Sequence, residues 1–144
     1  MSDMELSGTW TGHFTYNVDE HNVFFGIQTP ITLSLTSIDG TIEGTCYDEE
    51  YASLVKERIL VRGFEEEGFI SLMVKYPFYC FKDQDRKMHI DYQFPHPDKH
   101  FSGTYDQVNQ VLHGIWEMEM VIATEEETDQ LVLFSGEWEI RKQV

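Results

Sequence analysis

In four related tetrads of this 144-residue chain, a glycine stands two residues before a large aromatic residue. The tetrads are SGTW at residues 7–10, SGTY at 102–105, HGIW at 113–116 and SGEW at 135–138, and they hold all three tryptophans. In a strand, residues i and i+2 share a face, and an internal glycine marks a bend or a close approach of a neighbour. The ring can fill the space that the glycine leaves. The repeat therefore predicts packing units on sharply coiled strands, with ligand contact by the rings as the alternative.

Apolar and polar residues alternate along most of the chain, which is the pattern of half-buried strands. The dipeptide Asp39-Gly40 and the run EEEG at 65–68 are typical of tight hairpin turns. The alternating segments are residues 7–16, 27–36, 42–46, 54–64, 70–76, 88–94, 101–106, 112–122 and 131–142. They predict a single all-β domain over residues 1–144, an antiparallel up-and-down meander closed into a barrel of about eight to ten strands. A β-sandwich is the alternative fold.

The lengths of the connections differ between the two ends of the predicted meander. Successive turns alternate between the ends, so the long segments NVDEHNV, DEEYAS and PFYCFKDQDRK share one end. The short turns after residues 38 and 65 share the other end. The sequence therefore predicts one open end and one closed end over the first half of the chain.

The chain is strongly acidic, with 10 Lys and Arg against 26 Asp and Glu and a net charge of −16. Such a surface opposes binding to nucleic acid and to anionic membranes, and it favours solubility or a basic protein partner. The start of the chain lacks the basic and apolar pattern of a secretory signal, which predicts a cytoplasmic protein. Cys46 and Cys80 lack metal-site or CxxC spacing, so free thiols are expected and a disulfide between them stays open.

The first strand resembles that of the calycin barrels, which include lipocalins, intracellular fatty-acid-binding proteins and avidins. Lipocalins begin with Gly-x-Trp, which Gly8-Thr9-Trp10 matches, and residues 40–47 resemble a later avidin stretch. Biotin binders continue with polar Asn and Ser, whereas residues 11–14 here are Thr-Gly-His-Phe, so biotin binding does not follow. Many lipocalins stack an arginine on the first tryptophan; Arg141 is the candidate, but its position parity predicts the outer face. The resemblance implies a ligand enclosed within the barrel.

The inward positions define the candidate binding residues, because they carry aromatic rings, methionines and phenol groups that suit an apolar ligand. Glu57 shares the parity of Val55 and Ile59, so it is predicted to be a buried carboxylate that orients a ligand or serves as a base. A solvent-exposed Glu57 is the alternative. The predicted ligand-binding residues are Trp10, Phe14, Tyr16, Glu57, Tyr92, Tyr105, Trp116, Met118 and Trp138, and Met120 shares their face.

Three functions agree with these features. The first is non-enzymatic binding of a small hydrophobic or aromatic ligand inside the barrel. The second is an acidic interaction module, with a packed barrel and a basic protein partner. The third is a barrel isomerase or cyclase that uses Glu57 or Tyr92. No cofactor, metal site or catalytic residue set is predicted, because His96 and His100 lie in a proline-containing loop and no nucleophile motif is present.

Overall fold

The computed structural model describes residues 6–16, 28–49, 58–82, 88–91, 97–123 and 129–143. These residues form ten β-strands. The strands are β1 (Gly8–Thr15), β2 (Gln28–Ile38), β3 (Thr41–Asp48), β4 (Ile59–Glu66), β5 (Phe69–Lys75), β6 (Tyr79–Lys82), β7 (Met88–Asp91), β8 (Lys99–Asp106), β9 (Val111–Ala123) and β10 (Asp129–Lys142).

Eight of the strands close into an antiparallel barrel in the order β1-β10-β9-β8-β5-β4-β3-β2. Most strands pair in the barrel with the strands before and after them in sequence. The exceptions are β5, which pairs with β8, and β1, which pairs with both β2 and β10 and so completes the ring. Closure leaves no barrel strand with a free edge, as barrels require. The all-β meander and its closure are therefore confirmed.

The pairing of β6 with β7 corrects one expectation. The alternation of residues 88–94 predicts a strand of the meander, but Met88–Asp91 pairs with Tyr79–Lys82 in a separate two-stranded sheet. Because this hairpin lies outside the ring, β8 follows β5 in the barrel and begins at the end where β5 finishes. The period of two identifies a strand, but it carries no information about the distant strand with which it pairs.

The two ends of the barrel differ along its whole circumference. At one end, residues 39–40, 67–68 and 107–110 link successive strands in tight turns, and we call it the tight-turn end. At the other, residues 16–27, 49–58, 76–98 and 124–128 connect the strands, and we call it the long-loop end. The difference in connection length between the two ends, expected for the first half of the chain, thus extends to the second half, because β6 and β7 do not take part in the ring.

The barrel interior is filled by the inward face of each strand. Trp10, Trp116 and Trp138 are at most 2% exposed, and Phe14, Phe101 and many aliphatic side chains are buried with them. The odd residues of β1 and β10 face outward, so Arg141 is exposed, as its parity predicts, and lies opposite Thr11. The inward side chains that the structure describes therefore form one aromatic and aliphatic core.

Gly136 of the fourth tetrad packs against the tryptophan of the third tetrad, Trp116, on the neighbouring strand. A Cβ atom at Gly136 would overlap the carbonyl oxygen of Thr15. Without it, the indole Nε1 of Trp116 donates a hydrogen bond to that same oxygen at 2.8 Å. Trp138 Nε1 similarly donates to the carbonyl oxygen of Ser102 at 3.0 Å. Gly136 and Trp116 of two tetrads therefore pack together, and the indoles of Trp116 and Trp138 satisfy backbone oxygens of other strands.

Candidate ligand-binding site

Three polar side chains occupy inward positions at the long-loop end of the barrel. Asp48 is the last residue of β3, Lys99 is the first residue of β8, and Tyr76 follows directly after β5. Each continues an apolar inward row of its strand, as Asp48 does after Ile42 and Cys46. Asp48 is 2% exposed and Lys99 is 4% exposed, so the strand ends carry two charged groups into the interior.

The three side chains form one polar cluster. The phenol group of Tyr76 donates a hydrogen bond of 2.7 Å to Oδ2 of Asp48. The ammonium Nζ of Lys99 lies 3.6 Å from the same oxygen, which is an ion-pair distance beyond the range of a hydrogen bond. The carboxylate of Asp48 therefore accepts from Tyr76 and is neutralised by Lys99. We call these three residues the polar cluster.

Aromatic faces surround the ammonium group of Lys99. Its Nζ lies 4.1 Å from the ring centroid of Phe14, 5.0 Å from that of Tyr76 and 5.3 Å from that of Trp116. All three distances fall within the range of cation–π attraction. Within the part of the chain that the structure describes, these rings and Asp48 are the only partners of Lys99, and none accepts a conventional hydrogen bond from it. Among the described residues, none therefore uses its N–H donors in a conventional hydrogen bond.

Burial also changes the acidity of two neighbouring groups. Desolvation raises the pKa of the Tyr76 phenol well above its usual value, and the negative charge of Asp48 raises it further. Desolvation likewise raises the pKa of the Cys46 thiol, with Asp48 as the next contribution. Both groups stay protonated at neutral pH, so neither is poised as a nucleophile or base. Cys46 is a free thiol, which confirms that expectation for this residue.

Aromatic rings form the wall beside the polar cluster. Trp116 meets Phe14 and Tyr16 edge to face, with centroid separations of 5.4 Å and 5.0 Å. Phe101 stacks on the other side of Trp116 at 6.4 Å, and Met118 is buried one inward position further along β9. An apolar ligand entering from the long-loop end would meet this wall, with Lys99 between the rings.

The residues predicted from the sequence divide into three groups. Phe14, Tyr16, Trp116 and Met118 lie at the long-loop end near Lys99. Trp138 lies deeper, against Phe101 at 5.5 Å. Trp10 and Tyr105 meet each other at the tight-turn end, 5.9 Å apart, away from the polar cluster. Outside the described residues lie Glu57 and Tyr92, and also the side chain of Met120.

Sequence reasoning missed Asp48 and Lys99, although the signal was present. From the sequence, Asp48 falls in the connection DEEYAS, and Lys99 falls in the proline-containing loop that holds His96 and His100. The structure places both on strands, and the period-two rows extend to them: Ile42, Gly44, Cys46, Asp48 on β3, and Lys99, Phe101, Gly103, Tyr105 on β8. Extending each inward row by one residue, whatever its charge, would have found them.

A groove of about 850 Å³ lies on the outer face of β1, β9 and β10. His13, Glu139 and His113 stand opposite one another along it on the three strands. Within the described ranges, however, no group of three or more His, Cys, Asp or Glu side chains is arranged to hold a metal ion. The groove also lacks the burial that encloses a small ligand. The polar cluster is therefore the better candidate site.

Comparison with known proteins yields no assignment: no protein-family model and no curated protein matches the chain. The closed barrel of eight antiparallel strands is compatible with a calycin-like fold, and that family relation stays a prediction. Within the described residues, no helix is long enough and apolar enough to cross a bilayer.

Proposed function

We propose that the protein is a non-enzymatic, calycin-like binding protein that encloses a small ligand at the long-loop end of the barrel. The ligand has an apolar or aromatic body and an acceptor oxygen, such as that of a carboxylate. The body lies against Phe14, Tyr16 and Trp116, and the oxygen accepts a hydrogen bond from Lys99. The observation that carries the proposal is the buried ammonium group, whose hydrogen-bond donors no described residue uses.

The physical basis of the proposal is the cost of placing charge in an apolar interior. Transfer of an ammonium and a carboxylate out of water costs several kcal/mol per ion, and apolar residues of similar size often give equal or better stability. The pair at 3.6 Å also lacks the short contact that would offset this cost most fully. A role in recognition accounts for a lysine at this position, since a ligand oxygen supplies the missing hydrogen bond.

The acidity of the surrounding groups favours binding over catalysis. The raised pKa values of Tyr76 and Cys46 keep both protons in place near neutral pH. A general base is most effective when its pKa lies close to the working pH. Tyr76 accordingly serves to hold Asp48, and Asp48 serves to hold the ammonium group of Lys99 between the rings.

The test is a titration with matched ligands. Oleate and 2-naphthoate carry a carboxylate, and oleyl alcohol and naphthalene are their uncharged counterparts. We expect Lys99→Met to weaken binding of the two acids by roughly 10- to 100-fold, which is the effect of losing a charge-assisted hydrogen bond. Binding of the uncharged compounds should change little, and their binding shows that the variant is folded.

Lys75→Met is the control for this titration. Lys75 is exposed and ion-paired with Asp98 at 3.1 Å on the outside of the barrel. The same change from lysine to methionine at this position therefore leaves the interior of the barrel unaltered. The proposal is wrong if the wild-type protein binds none of the four compounds, or if both lysine variants bind the acids equally well.

A further inference from the structure

We propose that a second surface, at the tight-turn end, binds a cationic amphipathic segment of another protein. The surface consists of three exposed apolar residues, Ile38, Phe64 and Phe69, and three exposed acidic residues, Asp39, Glu66 and Glu67. We call it the hairpin rim, because the β2–β3 and β4–β5 hairpins supply all six residues. It is separate from the polar cluster, so it stands whether or not the barrel binds a small ligand.

Two phenylalanines are exposed side by side on the hairpin rim. Phe64 is 46% exposed and Phe69 is 45% exposed, and their ring centroids lie 6.3 Å apart. Ile38, at 67% exposure, lies in the same cross-strand row as Phe64, with Thr41 between them. Single exposed apolar residues are normal on a soluble protein, but adjacent aromatic rings with an acidic border are typical of binding surfaces.

The two hairpin turns are held together, so the rim is one continuous surface. The backbone N–H of Glu65 donates a hydrogen bond of 2.8 Å to the carbonyl oxygen of Gly40. This contact joins the end of β4, just before the turn at residues 67–68, to the turn at residues 39–40. Asp39 and Glu67 lie in those turns, and Glu66 pairs with Phe69 in the register of β4 and β5. Acidic groups thus border the two rings.

Charge decides which partner this surface fits. A second copy of the chain would bring two molecules of net charge −16 together at their acidic rims, and like charges across an interface oppose association. A segment with Lys or Arg on one side and apolar residues on the other gains contacts with both parts of the rim. The barrel has no free strand edge, so such a segment binds through its side chains and not as an added strand.

Synthetic peptides test this proposal with the full-length protein. The probe is a labelled amphipathic helix composed of Lys and Leu; the control peptides replace Lys with Glu, or Leu with Ser. We expect the Lys/Leu peptide to bind in a salt-sensitive way and both control peptides to bind much more weakly, since one lacks the positive charge and the other lacks the apolar face.

Two double variants locate the binding surface. Phe64→Ser with Phe69→Ser should weaken binding of the Lys/Leu peptide about tenfold or more, as expected when central aromatic contacts are lost. Ile115→Ser with Leu133→Ser is the matched control, because these residues are 50% and 51% exposed on β9 and β10, outside the two hairpins that form the rim. The control should bind the peptide as the wild-type protein does.

Other outcomes would overturn the proposal. Equal weakening by both double variants, or none by either, would show that the peptide contacts the acidic surface without using the rim. Sedimentation of the unliganded protein tests whether a second copy of the chain binds to the rim instead. If the wild-type protein is a dimer and the Phe64/Phe69 variant is a monomer, the rim is a contact between copies of this chain and the proposed partner is wrong.

Discussion

Lys99 and Asp48 place opposite charges inside an otherwise apolar barrel, and both are at most 4% exposed. The substitution Lys99→Met would leave the carboxylate of Asp48 buried without its cation. We expect it to lower the free energy of unfolding by about 3–5 kcal/mol, the range for a broken buried pair. Adding Asp48→Asn should recover part of this loss, because the uncompensated charge is removed. Urea unfolding of the single and double variants measures both effects.

The exposed pair of Lys75 and Asp98 is the reference for this comparison. Their side chains are 53% and 40% exposed, so Lys75→Met should cost only about 0–1 kcal/mol. Similar losses in the Lys75 and Lys99 variants would show that Asp48 does not depend on Lys99. In that case, the description of Asp48 and Lys99 as a coupled pair would need revision.

The raised pKa values of Tyr76 and Cys46 predict how stability depends on pH. The unfolded chain releases these protons at about pH 10 and about pH 8.5, whereas the folded chain retains them to higher pH. Their contribution to stability is therefore complete below the unfolded pKa values and is lost as the pH rises above them. The free energy of unfolding should fall between about pH 8 and about pH 11, and the slope should be smaller in Cys46→Ala. An equal slope in this variant would mean that the Cys46 thiol ionises as readily in the folded chain as in the unfolded one.

At the scale of elements, the β4–β5 turn uses an unusual residue. Glu67 has a φ of 52° and precedes Gly68 with a φ of 89°, the left-handed geometry in which Asn or Gly is usually found. We expect Glu67→Asn to raise the free energy of unfolding by about 1 kcal/mol, because Asn tolerates this conformation better. Thermal or urea unfolding measures the change.

Glu67→Ala separates backbone geometry from charge. It removes the same carboxylate, but alanine gains no local hydrogen bond in the left-handed region. We therefore expect little or no stabilisation from this variant. If Ala and Asn stabilise the protein equally, repulsion among the acidic residues of the hairpin rim, and not the turn geometry, explains the effect.

The strands were predictable to different degrees, for reasons that lie in particular residues. The first strand and the last were clear because Trp10, Phe14, Trp138 and Ile140 alternate with polar residues. The start of β8 was missed because Lys99 is charged and follows a proline-containing segment. The hairpin of β6 and β7 was assigned to the barrel because alternation is local, whereas membership of a barrel depends on pairing between distant residues.

The candidate site was less predictable than the fold. Its aromatic wall, including Phe14 and Trp116, followed from the inward rows of the sequence. The polar cluster did not, since Asp48, Tyr76 and Lys99 come from the ends of β3, β5 and β8, which are brought together only by pairing between strands. Hydropathy also assigns charged residues to the surface, which is correct on average and wrong where two charges are buried as a pair.

On the scale of the whole molecule, the two ends of the barrel carry different chemistry. The long-loop end holds a buried cation between aromatic rings, and the tight-turn end presents exposed rings with an acidic border. The net charge of −16 favours a cationic protein at the rim. It also means that an acidic ligand is repelled by the surface and stabilised only once it reaches Lys99. The two proposals together therefore assign a small acid to the interior and a basic partner to the outer surface.

Tryptophan fluorescence during an oleate titration tests the position of the proposed ligand most directly. Trp116 lies 5.3 Å from the ammonium group of Lys99, whereas Trp10 lies at the tight-turn end and donates to the carbonyl oxygen of Leu6 at 2.9 Å. Oleate should change the emission of the wild-type protein and of Trp10→Phe, and the change should disappear in Trp116→Phe. A signal that persists without Trp116 and disappears without Trp10 would contradict binding beside Lys99.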